Sequence, residues 1–494
     1  MKEIYIDSSI AENQAKQRYN FPEFIMMENA AAALENKILS LPDFSSQKQI
    51  LILCGCGNNG GDGYALARRL YGKCKVSIIK TQDAKSSEAI VQALMAKALG
   101  INFLSMAYVS QLDFSNYFAI VDAIYGSGFH GSFSPEIENL LIKINKEKAI
   151  KIACDIPSGI TKEGRAQNNS FKADFTVTMG ALKIALFSDQ AKELCGKISV
   201  AELGISSTVF NTCAQAQAFL IEENDVKLPY RKNPNTHEGA YGHTLVFAGE
   251  KSGAAILSAT AAMNFGSGLT TLLATGSSNL NQFKISPGLM ISSEIPQKTT
   301  AIVIGNGLGQ KEDAKKAINY FIEWIKHSKN PNCVIDADLF YYSKIKELLQ
   351  ELNSLKSANI ILTPHPKEFQ SLLNLLCIND RNDYTLNEVI ENKLALGKEI
   401  LKIFSNLTLI LKGANTIILC QNQTFICDTG SQSLAKGGSG DILAGLCAGL
   451  LAQGYSSKDA SITAVYSHAK AANKLSPEDF SLTPEKLLDN LLDL

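Results

Sequence analysis

Asp441 closes the segment Gly437-Gly-Ser-Gly-Asp441, and the apolar stretch 441–453 that follows has helical spacing. The unpaired N–H groups of a helix start, with the positive end of its dipole, make an anion hole. A carboxylate there can take the proton of a hydroxyl that attacks a phosphoryl group. The plainer alternative is that Asp441 only caps the helix. Other chemistry-bearing segments of the same half also follow apolar runs. They are Gly305-Asn-Gly-Leu-Gly309, the segment 363–369 with His365 between two prolines, and Lys412-Gly-Ala-Asn-Thr416. Asp336 and Asp338 stand two apart, either to position Mg²⁺ through water or as solvated turn acids.

The first half carries a second set. Gly55, Gly57 and Gly60 form G-x-G-x-x-G between an apolar run and a helical pattern, with Asn58, Asn59 and Asp62 beside them. Glycines there let the backbone approach a phosphate at a helix start. No Lys-Ser or Lys-Thr follows, so the segment is not a P-loop. The same glycine spacing recurs at Gly126, Gly128 and Gly131 after Asp122, and Asp155-Ile-Pro-Ser-Gly159 ends a further apolar run. Ligands of open α/β sheets lie outside the carboxyl ends of the strands, so three such loops describe a pocket for a phosphate-bearing ligand. Asn59, Asp122 and Ser158 could also offer oxygen to a hard cation.

Positioning these loops takes alternating strands and helices. In the first half the patterns predict strands at 49–54, 76–80, 117–122, 150–155, 174–180 and 197–203, with helices at 62–71, 86–99 and 135–145. The first forty residues read as helical, most strongly at 29–39. A polar, Pro- and Asn-rich stretch over 205–236 breaks the pattern, and a domain boundary is expected near 212. Strands are expected again at 244–248, 301–305, 333–336, 359–363 and 407–412, with helices at 312–327, 387–404 and 441–453. The fold class is therefore α/β in two domains, 1–212 and 213–494.

Composition narrows the function classes. The 494 residues carry 47 Lys+Arg against 48 Asp+Glu, so neither nucleic acid nor an anionic membrane is the expected partner. The longest uncharged run, 252–283, is too rich in Gly, Ser, Thr and Asn for a membrane span. No apolar leader opens the chain, and a cytoplasmic protein is expected. The 11 cysteines form no C-x-x-C pair and read as small buried hydrophobes.

Taken together, GNNGGDG, DAIYGSG and DIPSG resemble the epimerase half of the bifunctional NAD(P)H-hydrate repair family. HEGAYG, GNGLG, DAD, LTPHPKEF, KGANT and GGSGD resemble its ADP-dependent dehydratase half. The resemblance covers nearly the whole chain. It implies a Rossmann-like three-layer domain followed by a ribokinase-like α/β domain. It also implies that hydrated NAD(P)H, NAD(P)HX, is bound in the first half by Asn58, Asn59, Gly60, Gly61, Asp62, Gly126, Ser127, Gly128, Phe129, His130, Gly131 and Asp155. K⁺ would be held there by Asn59, Asp122 and Ser158. In the second half NAD(P)HX would meet Ala254, Gly307, His365 and Asp441, and ADP would meet Lys412, Gly413, Ala414, Asn415, Thr416 and Gly440, with Mg²⁺. Asp155 and Asp441 are the expected catalytic residues, and a homo-oligomer is expected. The segment before GGSGD departs from the family pattern, with Lys436 in place of a hydroxyl residue. The loop after Ala248, GEKSGA, is short and lacks the family's aromatic.

Residues alone leave other readings open. G-x-G-x-x-G with Lys80 ending the next strand suits an NADP-dependent dehydrogenase. GGSGD alone suits a sugar or vitamin kinase. A first half that only senses nucleotide would leave catalysis to the second.

Overall fold

The computed structural model describes residues 1–355, 357–475 and 480–493. The chain falls into two compact units, Lys2–Ala218 and Phe219 onward, the second counting Met1.

The first unit is built on a seven-stranded, all-parallel sheet. Its order is Asn102–Leu104, Lys75–Lys80, Gln49–Cys54, Ala119–Ala123, Ile150–Cys154, Phe175–Met179 and Lys197–Ala201. Its central strands are mostly apolar because both faces are covered, with Asp122 and Lys151 as buried charged exceptions. Ile50 and Ile52 enter one core and Leu51 and Leu53 the other, as the two-residue period of a strand requires. Chain order reverses between Gln49–Cys54 and Ala119–Ala123, the place where such sheets open a ligand crevice. The two loops there nearly touch: a Cβ on Gly55 would lie 1.9 Å from the Ile124 carbonyl oxygen.

The helix after the first glycine loop spans Asn58–Leu70, four residues earlier than its sequence pattern indicates. Gly60 and Gly61 lie inside its first turn, where a Cβ on Gly60 would fall 2.1 Å from the Gly55 oxygen. The glycines therefore serve close approach within a helix. Two further strands depart from the sequence pattern: Lys2–Tyr5 lies in the stretch read as helical, and Leu182–Lys183 had no signal. Lys2–Tyr5 and Leu182–Lys183 pair in parallel, with Tyr5 opposite Lys183.

The second unit repeats the plan. Its parallel strands run Met290–Ser292, Leu269–Ala274, His243–Ala248, Ala301–Ile304, Asn332–Ile335, Asn359–Leu362 and Leu407–Leu411. Thr416–Cys420 and Gln423–Cys427 then continue the sheet antiparallel. Order again reverses, between His243–Ala248 and Ala301–Ile304. Helices Ser252–Asn264 and Ser439–Ala452 cover one face, crossing so closely that a Cβ on Gly445 would lie 2.0 Å from the Ser258 oxygen. Glu312–His327, Ile345–Ser354, Pro366–Leu376 and Leu386–Ile403 cover the other.

The run 252–283 holds a helix and a strand, and no helix among the described residues is long and apolar enough to cross a membrane. Eight of the eleven cysteines are buried, whereas Cys56 and Cys74 are half-buried and Cys377 is exposed.

Candidate active sites

In the first unit, Asp122 lies within the strand Ala119–Ala123 and is wholly buried. Its carboxylate accepts from the Ser158 amide (2.7 Å), the Ser158 hydroxyl (2.7 Å) and the Ile124 amide (3.1 Å). Every one of these donors is neutral, and burial pushes the Asp122 carboxyl up to about 6. The Ser158 hydroxyl in turn accepts from the Tyr125 amide at 3.0 Å, which ties the second glycine loop to the third.

Asn59 sits in the first helical turn, with both side-chain polar atoms buried and unpartnered. A buried amide is normally satisfied, so a missing donor and acceptor must be supplied there. A buried carboxylate lacking any cation and an orphaned amide oxygen are the donor set a hard monovalent cation would take.

Asp155 follows the strand Ile150–Cys154 in a left-handed conformation, φ +68°. That backbone costs a non-glycine residue about 1–2 kcal/mol, and the side chain's contacts hold it. Oδ1 accepts from Lys183 Nζ (2.6 Å), the Met179 amide (3.1 Å) and the Thr178 hydroxyl (3.3 Å). Oδ2 accepts from the Ser127 amide at 3.2 Å and faces Gly126, where a Cβ would lie 3.0 Å from it and 3.4 Å from Asn59 Cγ. Asn59, Asp155 and the loop start, Gly126 and Ser127, thus surround one point.

The other expected residues of this half are placed differently. Asp62 is nearly closed off, and its carboxyl accepts from the Cys154 thiol at 3.8 Å. Burial, with Asp155 and Glu12 adding, pushes it well above the carboxylate range. Asn58 donates to Glu23. Phe129 is buried against Tyr125 and Phe133, with ring centroids 5.0 and 5.2 Å away. His130 is exposed, its Nδ1 2.9 Å from the Gly128 oxygen.

In the second unit one hydrogen-bonded chain links five loops. Asn306 Nδ2 donates to Asp441 Oδ1 (2.5 Å) and to Asp336 Oδ2 (3.0 Å). Asp336 Oδ1 meets Lys412 Nζ at 3.1 Å, and that ammonium lies 3.7 Å from Glu368 Oε2. Glu368 accepts from His365 Nε2 (2.9 Å) and from the His365 amide (2.8 Å). Gly438 occupies the N-cap position, so Asp441 is not the cap; its side chain reaches away from the helix to Asn306. Burial pushes the Asp441 carboxyl up to about 6, with Asn306 drawing it down and Asp336 raising it. Burial works against the Lys412 charge, but Asp336 and Glu368 outweigh it and hold the ammonium above its usual range. A Cβ on Gly440 would lie 3.2 Å from Lys412 Nζ, so the cation stands over the helix start.

Asp336 is buried and ion-paired, which removes the solvated-turn reading; Asp338 Oδ2 accepts from the Gly309 amide at 2.8 Å. Among the described residues no group of three or more His, Cys, Asp or Glu is placed to hold a metal. Both nitrogens of His365 are engaged, since Nδ1 accepts from the Lys367 and Glu368 amides and caps the helix. Gly307, at φ +60°, accepts through its carbonyl from the Lys251 amide, whose own oxygen takes the Ala254 amide at 3.0 Å. Gly413 and Ala414 form an exposed hairpin tip, Asn415 is buried, and Thr416 opens the return strand.

Asn306, Glu368 and Lys183 had no signal of their own in the sequence. Asn306 lay inside GNGLG and Glu368 inside LTPHPKEF, read there for glycine and histidine. A separate cavity of about 740 Å³ opens among Tyr320, Trp324, Asn332 and Ala452 and touches none of these residues.

A family model described as NAD(P)H-hydrate dehydratase matches residues 244–492, and one described as YjeF-related protein N-terminus matches 23–185. The bifunctional NAD(P)H-hydrate repair enzyme Nnr of Helicobacter pylori is 38% identical over 100% of both chains. That of Coxiella burnetii is 30% identical over 97% of this chain and 93% of its own. That of Escherichia coli is 29% identical over 91% and 85%. A solved ADP/ATP-dependent NAD(P)H-hydrate dehydratase from Bacillus subtilis aligns at 26% identity over 56% of this chain and 97% of its own, with a TM-score of 0.46. With both family models matched in order and full-length relatives of one kind, the chain belongs to the family of bifunctional NAD(P)H-hydrate repair enzymes.

Proposed function

We propose that the two units divide the repair of hydrated NAD(P)H. The first interconverts the R and S epimers; the second dehydrates the S form at the expense of ADP. The chain Asp441–Asn306–Asp336–Lys412 at a glycine-rich helix start carries this reading for the second unit. It sets a base raised toward neutrality beside a fixed ammonium, the two charges that phosphoryl transfer to a hydroxyl needs.

In the proposed sequence Asp441 takes the proton of the added hydroxyl as its oxygen bonds to the β-phosphorus of ADP and AMP leaves. Lys412 and the N–H groups of the helix start neutralise the phosphoryl charge. The C–O bond then breaks with phosphate carrying the electron pair, a proton leaves the neighbouring ring carbon, and the double bond of the dihydronicotinamide is restored. Mg²⁺ would supply further neutralisation and enter on the nucleotide phosphates, since among the described residues no group of three or more His, Cys, Asp or Glu is placed to hold it. Asn306 holds Asp441, and Asp336 with Glu368 holds Lys412.

In the first unit we assign NAD(P)HX to the point between Asn59, Asp155 and the loop 126–131. K⁺ fits at Asn59, Asp122 and Ser158, where it would supply the positive charge that buried Asp122 lacks. Asp155 Oδ2, the oxygen with capacity left, is the proton-transfer group.

Purified protein given chemically hydrated NADH, Mg²⁺ and nucleotide tests the reading. Recovery of dihydronicotinamide absorbance with one AMP and one phosphate per NADH is expected. A stable phosphorylated product would instead support the kinase alternative.

A further inference from the structure

Lys183 belongs to no glycine loop and to none of the expected site residues, yet its ammonium is more enclosed than that of Lys412, the lysine of the other site. The residue is 2% exposed. Nζ lies 2.6 Å from Asp155 Oδ1 and donates to the Met179 oxygen (2.8 Å), the Thr178 hydroxyl (3.0 Å) and the Ala181 oxygen (3.3 Å). Burying an ammonium is costly, and an apolar side chain of similar length would fill a purely structural position as well.

What distinguishes this one is its partner. Asp155 is the residue whose left-handed backbone turns a carboxylate onto the loop 126–131. Lys183, the Met179 amide and the Thr178 hydroxyl all act on Oδ1, leaving Oδ2 to the Ser127 amide and the space beside Gly126. Two further acids face the pair. Glu12 comes from the helix Ser8–Tyr19, and Asp62 from the helix Asn58–Leu70; both are raised by burial, and Asp155 adds to each.

We propose that Lys183 is the positioning residue of the epimerase, clamping Asp155 through Oδ1 so that Oδ2 is presented to the hydrated ring. It acts through Asp155 and does not touch substrate, so the inference rests on the assignment of Asp155 made above. A clamp of this kind affects the chemical step more than binding, because the nucleotide is held chiefly by backbone of the glycine loops.

The test uses the full-length protein and separated epimers, with interconversion followed by chromatography in the absence of ADP. Lys183→Met is expected to lower kcat roughly 10- to 100-fold while KM stays within about threefold. Lys183→Arg, which keeps a cation, should recover most of the loss. Added to Asp155→Asn, Lys183→Met should cost nothing further. Dehydration of the pure S epimer should be unchanged in every variant, and far-ultraviolet circular dichroism with a thermal melt reports on folding of the first unit. If Lys183→Met fails to fold, Lys183→Gln, which keeps a donor for the surrounding oxygens, carries the same expectation. Wild-type kcat in Lys183→Met or Lys183→Gln with an inactive Asp155→Asn overturns the clamp alone. So does a loss in KM rather than kcat, or a loss that adds fully to Asp155→Asn. An Asp155→Asn that still epimerises overturns the assignment of Asp155 and the clamp with it.

Discussion

Asp155 and Asp336 occupy corresponding places. Each follows the second strand beyond the point where its sheet reverses order, and each is paired with a lysine drawn from elsewhere, Lys183 at 2.6 Å and Lys412 at 3.1 Å. Their orientation is opposite. In the first unit the lysine is sealed behind the aspartate, and the acid faces the ligand loop. In the second the aspartate is sealed behind the lysine, whose ammonium stands over the helix start at Gly440. Under the proposed function, one strand-end ion pair would present either an acid for proton transfer or a cation for phosphoryl transfer, according to which partner is buried deeper.

The largest expected effect isolates the second site. Asp441→Asn should lower dehydration roughly 10²–10⁴-fold and leave epimerisation unchanged, as read by separate assays on pure epimers. Retention of more than half the dehydration rate would mean that Asp441 is not the base.

The ion-pair comparison predicts an inverted hierarchy. Lys412→Met should cost dehydration about 10²–10³-fold, and Asp336→Asn clearly less, because Glu368 still holds the ammonium. In the first unit the acid should matter more than the lysine. Equal losses within either pair would remove the distinction.

Acidity sharpens it further. Asp441 must be ionised to accept a proton, and burial raises it to about 6. The dehydration rate should therefore fall with decreasing pH below about 6, approaching tenfold per pH unit. A rate flat down to pH 5 would contradict the role.

Exchange of K⁺ for a large organic cation should weaken nucleotide binding in the first unit by about tenfold, since the donors to Asp122 are all neutral, and should spare dehydration. Titration with the R epimer in each salt checks this. The smallest effect is expected at Lys436, which is exposed and donates to the Phe480 oxygen at 2.8 Å. Lys436→Thr should change the KM for ADP by less than about threefold.

Local signals made much of this legible. Pro135–Asn145 and Glu312–His327 have the bounds that their patterns give; Ser134 caps the first helix, with Pro135 at its start, and both carry apolar spacing. Glycine and aspartate in the sequence marked the strand ends where each sheet reverses order, because such loops follow the carboxyl ends of parallel strands. The pairings across the sites were not legible. Nothing near Lys183 or Asn306 in sequence marks its partner, and the Asp155–Lys183 and Asn306–Asp441 contacts exist only once strands far apart in the chain are in register. Leu269–Ala274 was hidden by two threonines that prove to be buried. The hairpin after Lys412 was hidden because a turn and a ligand loop use the same small residues.

Complementation with the pure R epimer tests the two-site account most directly. Asp441→Asn and Asp155→Asn proteins, each supplied alone with R-NADHX, ADP and Mg²⁺, should fail to restore dihydronicotinamide absorbance at the wild-type rate. Their mixture should restore it, because each supplies the unit that the other lacks. Recovery by either variant alone, or failure of a mixture of two folded variants, would contradict two independent sites.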